Sequence, residues 1–421
     1  MTIGIVGAGI TGLTLTHRLI EDHGADVITF EGRSRPGGVI HSRKEKEVLL
    51  EYGPQRMRKT PAVENLIAEI QLEEAVLEAD NSLPLYVYEN GKLRRVPFTV
   101  REFLSTSLLS WPSKLRILME PIMSSAKPEE TVARYFKRKF GQEAYTNLLG
   151  PLFGGIYASD PAEMPVQYAL SSLLELEKQE QSLLKLALKR MYGDQRAPPI
   201  SFTDGLQQLP NRLYDLHESH VYLNTPVSTI SNHQEKYTVH TAMGEFTVDK
   251  LVLTTPADIA ANILSDIDPE SASALSKLAY NPLALVHLRA SYDKDGFGYQ
   301  VSLNEDLRTL GVTWNCSLFD RDNLYTAFLG GMHDHRILEE TDSVLMDTAA
   351  DDFETVVEVP TEPLNIVRLE RGFPAYDHSW QALEDVALPE SIHLATNYTG
   401  RMGIPSRIKE ANRLAKQLAE D

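Results

Sequence analysis

The sequence is poor in cysteine, in basic residues and in long apolar runs, and each shortage excludes a class of protein. Its single cysteine, Cys316, excludes an intrachain disulfide and fits a reducing compartment. Lys and Arg number 41 against 59 Asp and Glu, and the resulting net charge of −18 argues against nucleic acid as a partner. No run approaches the roughly 18 apolar residues of a membrane-spanning helix, and no basic segment precedes the first apolar stretch as it would in a signal peptide. We therefore expect a cytoplasmic protein.

Length and composition describe a globular chain. The 421 residues are 42% hydrophobic and 24% charged, which excludes disorder and collagen-like repeats. At about 100–200 residues per domain, this length predicts two or three folded units.

A glycine-rich turn lies between an apolar strand and an apolar helix at the N-terminus. In such a turn the first glycine makes the tight bend, the second lets the backbone approach a pyrophosphate, and the third lets helix pack on strand. The helix N-terminus then attracts the phosphates, and an acid about 20 residues further on can accept both ribose hydroxyls. A glycine turn that serves packing alone is the alternative, but strand, helix and acid together disfavour it. The predicted dinucleotide site consists of Gly7, Ala8, Gly9, Ile10, Thr11, Gly12 and Glu31.

Further turn residues follow this motif, and they carry a family resemblance. A glycine pair comes shortly after Glu31, and a second tight turn comes near residue 53. The spacing E-x-x-x-R-x-G-G after a first Rossmann unit resembles the large FAD family of amine oxidases, carotene desaturases and protoporphyrinogen oxidases. The resemblance implies FAD as the cofactor. It implies contacts to FAD from Gly32, Gly37, Gly38, Val39, Gly53, Pro54, Gln55 and Arg56.

Two later segments narrow the resemblance. Residues 151–161 show the pattern P-x-x-x-G-I-Y-A-x-D-P, and residues 202–210 show F-x-x-G-L-x-x-L-P. Both are similar to the protoporphyrinogen/coproporphyrinogen oxidase family, and the order of these motifs extends the resemblance from Met1 to about Lys416.

The resemblance implies an α/β fold in which a Rossmann-like FAD-binding domain is interleaved with a mixed-sheet substrate domain and a helical insert. We predict FAD-binding segments at residues 1–60, 200–280 and 372–421. Substrate-domain strands are predicted at residues 80–97 and 281–371, with the helical insert at residues 98–192.

The remaining cofactor contacts are implied by the resemblance alone. They are Val227, Trp380, Met402, Gly403 and Ile404. Without the resemblance, Val227 would be interpreted as a core valine. The C-terminal turn departs from the family pattern, because Gly403-Ile404-Pro405 is retained whereas the glycine spacing differs by one and the following Asp-Cys is absent.

The resemblance also implies the reaction, which is oxidation of protoporphyrinogen IX to protoporphyrin IX in haem biosynthesis. Hydride would pass to the flavin N5 and electrons to O2, giving hydrogen peroxide, and no side-chain acid or base is assigned. Arg58 matches the family arginine that pairs with a substrate propionate, with Arg56 as the second choice. A guanidinium suits a carboxylate through its bidentate fork, although a surface role in the same basic cluster is the alternative.

Three other functions stay open. They are oxidation of coproporphyrinogen III to coproporphyrin III, another FAD oxidoreductase activity such as carotenoid desaturation or amine oxidation, and tetrapyrrole binding without turnover. Hand-over of the product to a chelatase is a further implied partnership.

Two last features concern metal and membrane. The segment His333-Asp334-His335 lacks a third ligand at useful spacing, so no metal is predicted. Apolar residues of the helical insert could line an interfacial surface, where Lys114 and Arg116 would offset the acidic net charge. They could equally wall a substrate pocket, so the expected localisation is cytoplasmic with at most a peripheral membrane contact.

Overall fold

In the computed structural model, residues 1–123, 125–127, 129–192, 197–233 and 236–420 are described. The chain divides into two units that each collect distant segments. The first unit contains Met1–Ala79, Ala197–Leu278 and Gln381–Asp421, and the second contains Asp80–Arg196 and Ala279–Trp380. The predicted third FAD-binding segment began at residue 372, whereas residues up to Trp380 belong to the second unit.

The first unit is built on a parallel sheet that extends the N-terminal strand on both sides. Val27 and Lys250 both pair with Ile3, so the strands that contain them flank the first strand in parallel. The sheet strands, in spatial order, are Val221–Tyr222, Asp26–Phe30, Thr2–Val6, Lys250–Leu253 and Ile392–Leu394. Because both faces of such a sheet are buried, its strands are nearly continuous apolar runs.

Smaller sheets and α-helices complete the described part of the first unit. An antiparallel sheet contains Val227–His233, Lys236–Thr241 and Gly244–Val248. The short strands are Ser42–Glu45, Val48–Glu51, Met57–Arg58, Val76–Glu78 and Pro199–Phe202. The α-helices are Ile10–Glu21, Pro61–Glu69, Gln208–Leu216, Ala257–Leu264, Pro269–Leu275 and Ile404–Glu420, with 3₁₀ turns at Glu73–Ala75 and Glu218–His220.

The second unit contains a seven-stranded mixed sheet. Its strands, in spatial order, are Thr361–Pro374, Tyr280–Ala290, Leu324–Gly330, Thr309–Trp314, Gly298–Val301, Leu85–Glu89 and Lys92–Arg95. Only the pairing of Gly298–Val301 with Leu85–Glu89 is parallel. Helix Asp342–Val357 covers the sheet through a core that includes Tyr299, Tyr325 and Phe353.

The segment after this sheet's first hairpin is helical, as predicted for the insert. Its elements are Val100–Ser105, Trp111–Leu118, Glu120–Ile122, Val132–Phe140, Gln142–Ala144, Tyr145–Leu149, Gly150–Tyr157, Val166–Ala169, Ser171–Glu180 and Leu183–Tyr192. The second unit also contains the α-helix Asn315–Phe319 and the 3₁₀ turn Ile337–Glu339. The 3₁₀ helix His378–Asp385 spans the point at which the chain passes from the second unit to the first. No helix among the described residues is long and apolar enough to cross a membrane. The α/β fold class is confirmed.

Candidate FAD-binding site

The first turn has a backbone that requires glycine. Gly7 has a φ of +108°, and a Cβ on Gly12 would lie 1.9 Å from the carbonyl oxygen of Gly7. Thr254 Oγ1 donates to that same oxygen at 3.0 Å. A Cβ on Gly9, which precedes helix Ile10–Glu21, would meet no atom within 4 Å. Since the first helical N–H groups have no partner within a helix, the turn offers an anion site beside open space. The rest of the predicted motif is buried around it: Ala8, Ile10 and Thr11.

Glu31 is fixed at the end of the neighbouring strand by the backbone. Its Oε2 accepts the N–H of Ala8 and its Oε1 accepts the N–H of Arg33, each at 2.9 Å. A carboxylate has about four lone-pair sites, so each oxygen keeps one for a further hydrogen bond. The carboxylate is therefore held beside the glycine turn with acceptor capacity left for two hydroxyls.

The second glycine pair lies directly against the first turn. The N–H of Gly37 donates to the carbonyl of Ala8 at 2.8 Å, and a Cβ on Gly38 would lie 3.3 Å from the Cα of Gly9. The carbonyl of Gly38 accepts at 2.9 Å from two guanidinium groups, those of Arg33 and Arg35. The loop after Glu31 is thereby tied to the predicted pyrophosphate turn.

The Gly53-Pro54 turn packs on the end of this loop. A Cβ on Gly53 would lie 2.0 Å from the carbonyl oxygen of Val39, so only glycine fits there. Gln55 Nε2 donates to the carbonyls of Glu51 and Gly53 at 3.1 and 2.9 Å, and both of its N–H groups are thus used within the turn. The structure brings these residues together, while their individual contacts to a cofactor stay predictions.

Val227 is placed next to Glu31 by backbone hydrogen bonds. The N–H of Thr225 donates to the carbonyl of Glu31 at 2.7 Å, and Pro226 lies 3.4 Å from where a Cβ on Gly32 would be. Val227 begins this strand by pairing with Thr241, and the register shifts between Val227 and Thr229. The contact of Val227 with adenine stays a prediction.

The C-terminal turn starts a helix despite its departures from the family pattern. Gly403 has a φ of +94° and its carbonyl accepts from the N–H groups of Ser406 and Arg407. Ile404, the first helical residue, packs in the same apolar cluster as Ile10. Met402, Gly403 and Ile404 therefore lie at a second helix N-terminus near the first.

Trp380 lies in the second unit. Its ring stacks on Tyr376 with centroids 4.3 Å apart, and its indole N–H has no hydrogen-bond partner among the described residues. The other predicted cofactor residues belong to the first unit, and the contact of Trp380 with FAD stays a prediction.

The two candidate substrate arginines lie in the first unit. Arg58 belongs to the short strand Met57–Arg58, and its Nη1 donates to the carbonyl of Ala197 at 2.9 Å. Burial and then the charge of Arg58 lower the pKa of Arg56 to about 10. The two guanidiniums thus create a region of positive potential that an anionic group would relieve.

The family described as flavin containing amine oxidoreductase matches residues 10–417 of the chain. The chain belongs to this family. It is an FAD-dependent oxidoreductase, and the recognition of an amine-oxidase-like flavoprotein is confirmed.

Similar proteins agree with this assignment over almost the whole chain. Protoporphyrinogen oxidase 2 of Arabidopsis thaliana is 25% identical over 90% of this chain and 85% of the relative. A coproporphyrinogen III oxidase of Staphylococcus aureus (strain NCTC 8325 / PS 47) is 26% identical over 89% and 88%. A crystal structure from Exiguobacterium sp. 255-15, provisionally named a protoporphyrinogen oxidase, superimposes with a TM-score of 0.81 at 23% identity and covers 100% of this chain and 98% of that one.

The residues of the first unit fit FAD. The open direction above Gly9 suits a phosphate at the helix N-terminus, and the free lone pairs of Glu31 suit ribose hydroxyls. Burial and then the charges of Arg35, Arg43 and Arg33 lower the pKa of His41 to about 4, so these arginines give the loop after Glu31 a positive potential. That positive potential suits a diphosphate.

Sequence reasoning missed the residues that hold the cofactor loops from outside. Within the F-x-x-G-L-x-x-L-P segment, the N–H of Leu206 donates to Glu51 Oε1 at 2.9 Å, and the N–H of Gln207 donates to Ser42 Oγ at 3.0 Å. Gln207 Nε2 also donates to the carbonyl of Pro36 at 3.0 Å. The motif thus clamps the loops of residues 36–53, a role that its spacing alone does not reveal.

Proposed function

We propose that the protein oxidises protoporphyrinogen IX to protoporphyrin IX, with O2 as electron acceptor. The observation that carries this proposal is the agreement of relatives named for porphyrinogen oxidation over 82–91% of the chain. When bound, FAD supplies a two-electron acceptor that returns its electrons to O2 as hydrogen peroxide. The substrate loses six electrons in three such steps, so three O2 are consumed per porphyrin.

The contribution of the chain's own side chains is to hold the substrate. Arg58 and Arg56 supply planar donors for a propionate, and the positive potential between them favours a carboxylate over a neutral group. No side chain is assigned as acid or base, because tautomerisation within the macrocycle can move the remaining protons. Hand-over of the product to a chelatase stays a prediction.

Coproporphyrinogen III is the second candidate substrate. The relatives named for the two substrates have nearly equal identity and coverage, 25% over 90% of this chain and 26% over 89%. Both molecules have the same macrocycle and differ in their number of propionates. Selection between them therefore depends on how many carboxylates the chain pairs with positive groups.

Anaerobic mixing of the yellow protein with each porphyrinogen tests the proposal. Protoporphyrinogen IX should bleach the flavin absorbance, and admission of air should restore it while porphyrin fluorescence and peroxide accumulate. Bleaching with coproporphyrinogen III alone would replace the substrate but keep the reaction. Bleaching with neither, but with a polyamine or carotenoid, would assign a different oxidase, and tight porphyrin binding without bleaching would assign a binding protein.

Arginine variants test the substrate contact. Arg58→Ala should raise KM for the porphyrinogen by about tenfold with a smaller change in kcat, because a charge-assisted pair contributes roughly 1.5–3 kcal/mol. Arg56→Ala serves as the second candidate, and Arg413→Ala, an exposed arginine on the C-terminal helix, is the matched control. Equal KM values for all three variants and the wild type would remove both arginines from the substrate site.

The helical insert presents an apolar surface that we propose touches a bilayer peripherally. Its exposed members lie on helix Trp111–Leu118 and the following turn: Trp111, Leu115, Leu118, Met119 and Ile122.

The expectation that Lys114 would offset the acidic net charge at a lipid surface is wrong, since its ammonium is buried and donates to the carbonyls of Leu104 and Thr106. Arg116 likewise donates to the carbonyls of Arg138 and Lys139. Apolar insertion, without basic attraction, is therefore the binding mode we expect.

Tryptophan fluorescence tests this surface directly. The chain has three tryptophans, of which Trp314 and Trp380 are buried and Trp111 is 64% exposed. Phosphatidylcholine vesicles should shift the emission of Trp111 to the blue, and a Leu115→Ser, Ile122→Ser variant should lose that shift. An unchanged spectrum with vesicles, accompanied by dimerisation in sedimentation, would assign the surface to a second copy of the chain.

A further inference from the structure

Three potential metal ligands meet on the outside of the first unit, away from the glycine turns. His17 and Glu21 are one turn apart on helix Ile10–Glu21, and His217 directly follows helix Gln208–Leu216. One ligand atom of each residue lies within 4.8 Å of the others. The two imidazoles are buried whereas Glu21 is exposed, so the cluster has a solvent side through which an ion can enter.

The two imidazoles are arranged so that ring nitrogens converge. His17 Nδ1 and His217 Nε2 are 2.9 Å apart, and the ring planes meet at 60°. Two nitrogens that bind one tetrahedral zinc ion lie about 3.3 Å apart, which a small rotation of either ring achieves.

The surroundings of His17 match those of a metal-bound histidine. Its other nitrogen, Nε2, lies 3.7 Å from Glu69 Oε2, and histidine ligands usually face a carboxylate on the side away from the metal. The nearby cation, Arg18, is paired with Glu69 at 2.6 Å and with Asp22 at 3.5 Å. Glu21, Glu69 and Asp22 all act electrostatically on His17, against the single guanidinium of Arg18, and a dication would balance that excess of negative charge.

We propose that His17, Glu21 and His217 bind one Zn²⁺ ion, with water completing the coordination. Two imidazoles and a carboxylate are donors that Zn²⁺ accepts readily. The ion would link the helix of the dinucleotide motif to a segment 200 residues later in the chain. That separation is the reason why spacing along the sequence assigned no metal. The proposal rests on the first unit alone and is independent of the substrate.

Calorimetric titration of the full-length, FAD-loaded, tag-free chain with Zn²⁺ at pH 7 tests the site. One equivalent should bind after prior treatment with a chelator. Glu21→Gln should weaken binding by about tenfold or more and His217→Gln by about a hundredfold, since each removes a ligand. His335→Gln, which changes an exposed histidine of the second unit, is the matched control and should bind like the wild type.

Thermal unfolding supplies a second measurement that does not depend on activity. Zn²⁺ in excess should raise the unfolding temperature of the wild type by about 5 °C, because a ligand that binds only the folded state stabilises it by mass action. Glu21→Gln lies at an exposed position, so its circular dichroism should match the wild type while the shift with Zn²⁺ becomes smaller. Absence of stoichiometric binding, or equal binding in both ligand variants, would show that the two histidines form only a structural hydrogen bond.

Discussion

The cofactor loops of the first unit and the helical insert of the second unit fix their structures by opposite means. In the loops, backbone meets backbone: Gly12 lies on the carbonyl of Gly7, and Gly53 lies on the carbonyl of Val39. Even Glu31 is held by N–H groups of the main chain. A geometry of this kind excludes every residue with a Cβ, so it leaves a clear signal in the sequence.

In the helical insert, side chains meet side chains. Lys139 is fully buried and contacts two buried carboxylates, Glu120 at 2.7 Å and Glu177. Glu120 also accepts from Ser182 Oγ at 2.6 Å, and Tyr135 donates its hydroxyl to Glu177 at 2.6 Å. Such a network could be built from many other combinations of residues, so nothing in the sequence announces it.

Among the substitutions predicted to disrupt these regions, Gly12→Ala in the cofactor loops should have the largest effect. Its Cβ would lie 1.9 Å from the carbonyl oxygen of Gly7, so the turn must open and the helix N-terminus must leave the phosphate position. We expect FAD affinity to fall by about a hundredfold, comparable to the cost of misplacing a bound group by about 1 Å. The ratio of flavin to protein absorbance after purification, followed by titration of the apoprotein with FAD, measures the loss.

Gly24→Ala separates this effect from a general loss of stability. Gly24 also has a positive φ, +60°, but a Cβ there would meet no atom within 4 Å. It should cost about 1–2 kcal/mol in the free energy of unfolding and leave the protein yellow. If both variants lost flavin equally, the Gly12 contact would not be specific to the cofactor site.

Lys139→Met should destabilise the helical insert because it leaves buried negative charges without a cation. The substitution leaves Glu120 and Glu177 buried without their cation, and removal of one partner from a buried pair costs about 3–5 kcal/mol. Urea unfolding followed by circular dichroism should show this loss, while FAD affinity changes little because the residue lies in the second unit.

The matched control variant also removes the two carboxylate charges that Lys139→Met leaves unpaired. Lys139→Met combined with Glu120→Gln and Glu177→Gln should recover part of the lost stability, since neutral amides cost less to bury than unpaired carboxylates. If the triple variant were less stable than Lys139→Met alone, the hydrogen bonds of the carboxylates would outweigh their charge.

This contrast also explains which features were predictable. The glycine turns, Glu31 and the helix that follows them were found from residue type and spacing, because each has one steric or hydrogen-bonding reason. The placement of Gly53 against Val39 needed the structure, since 14 positions separate them and nothing local couples them. The hydrogen bond from Gln207 to the carbonyl of Pro36 could not be predicted for the same reason, since the two residues are far apart in the sequence.

Side chains judged one at a time did not reveal their partners. Lys114 was considered as a residue that would offset the acidic net charge at a lipid surface, yet its four-carbon stem allows the ammonium to turn inward onto two carbonyls. The sequence likewise offers no reason to pair His17 with His217, although the fold places their nitrogens 2.9 Å apart. Long-range pairing of this kind depends on topology, which residue spacing does not encode.

The prediction for His41 has the smallest expected effect. It refines the comparison because the cofactor loops control the charge state of this side chain. His41 lies half-buried among Arg33, Arg35 and Arg43 and contacts the ring of Tyr52, and burial and then these arginines lower its pKa to about 4. An unfolded histidine has a pKa of about 6.5, so its stabilising contribution is complete above that pH and is lost as the pH falls toward 4. After allowance for solvent screening, His41→Gln should remove about 1–2 kcal/mol of the pH dependence of unfolding between these limits.

Unfolding titrations of both proteins at several pH values measure the difference, with His335→Gln as the control variant. A slope unchanged in His41→Gln would mean that the arginine charges are compensated within the loop, and the positive potential assigned to the diphosphate position would have to be reduced.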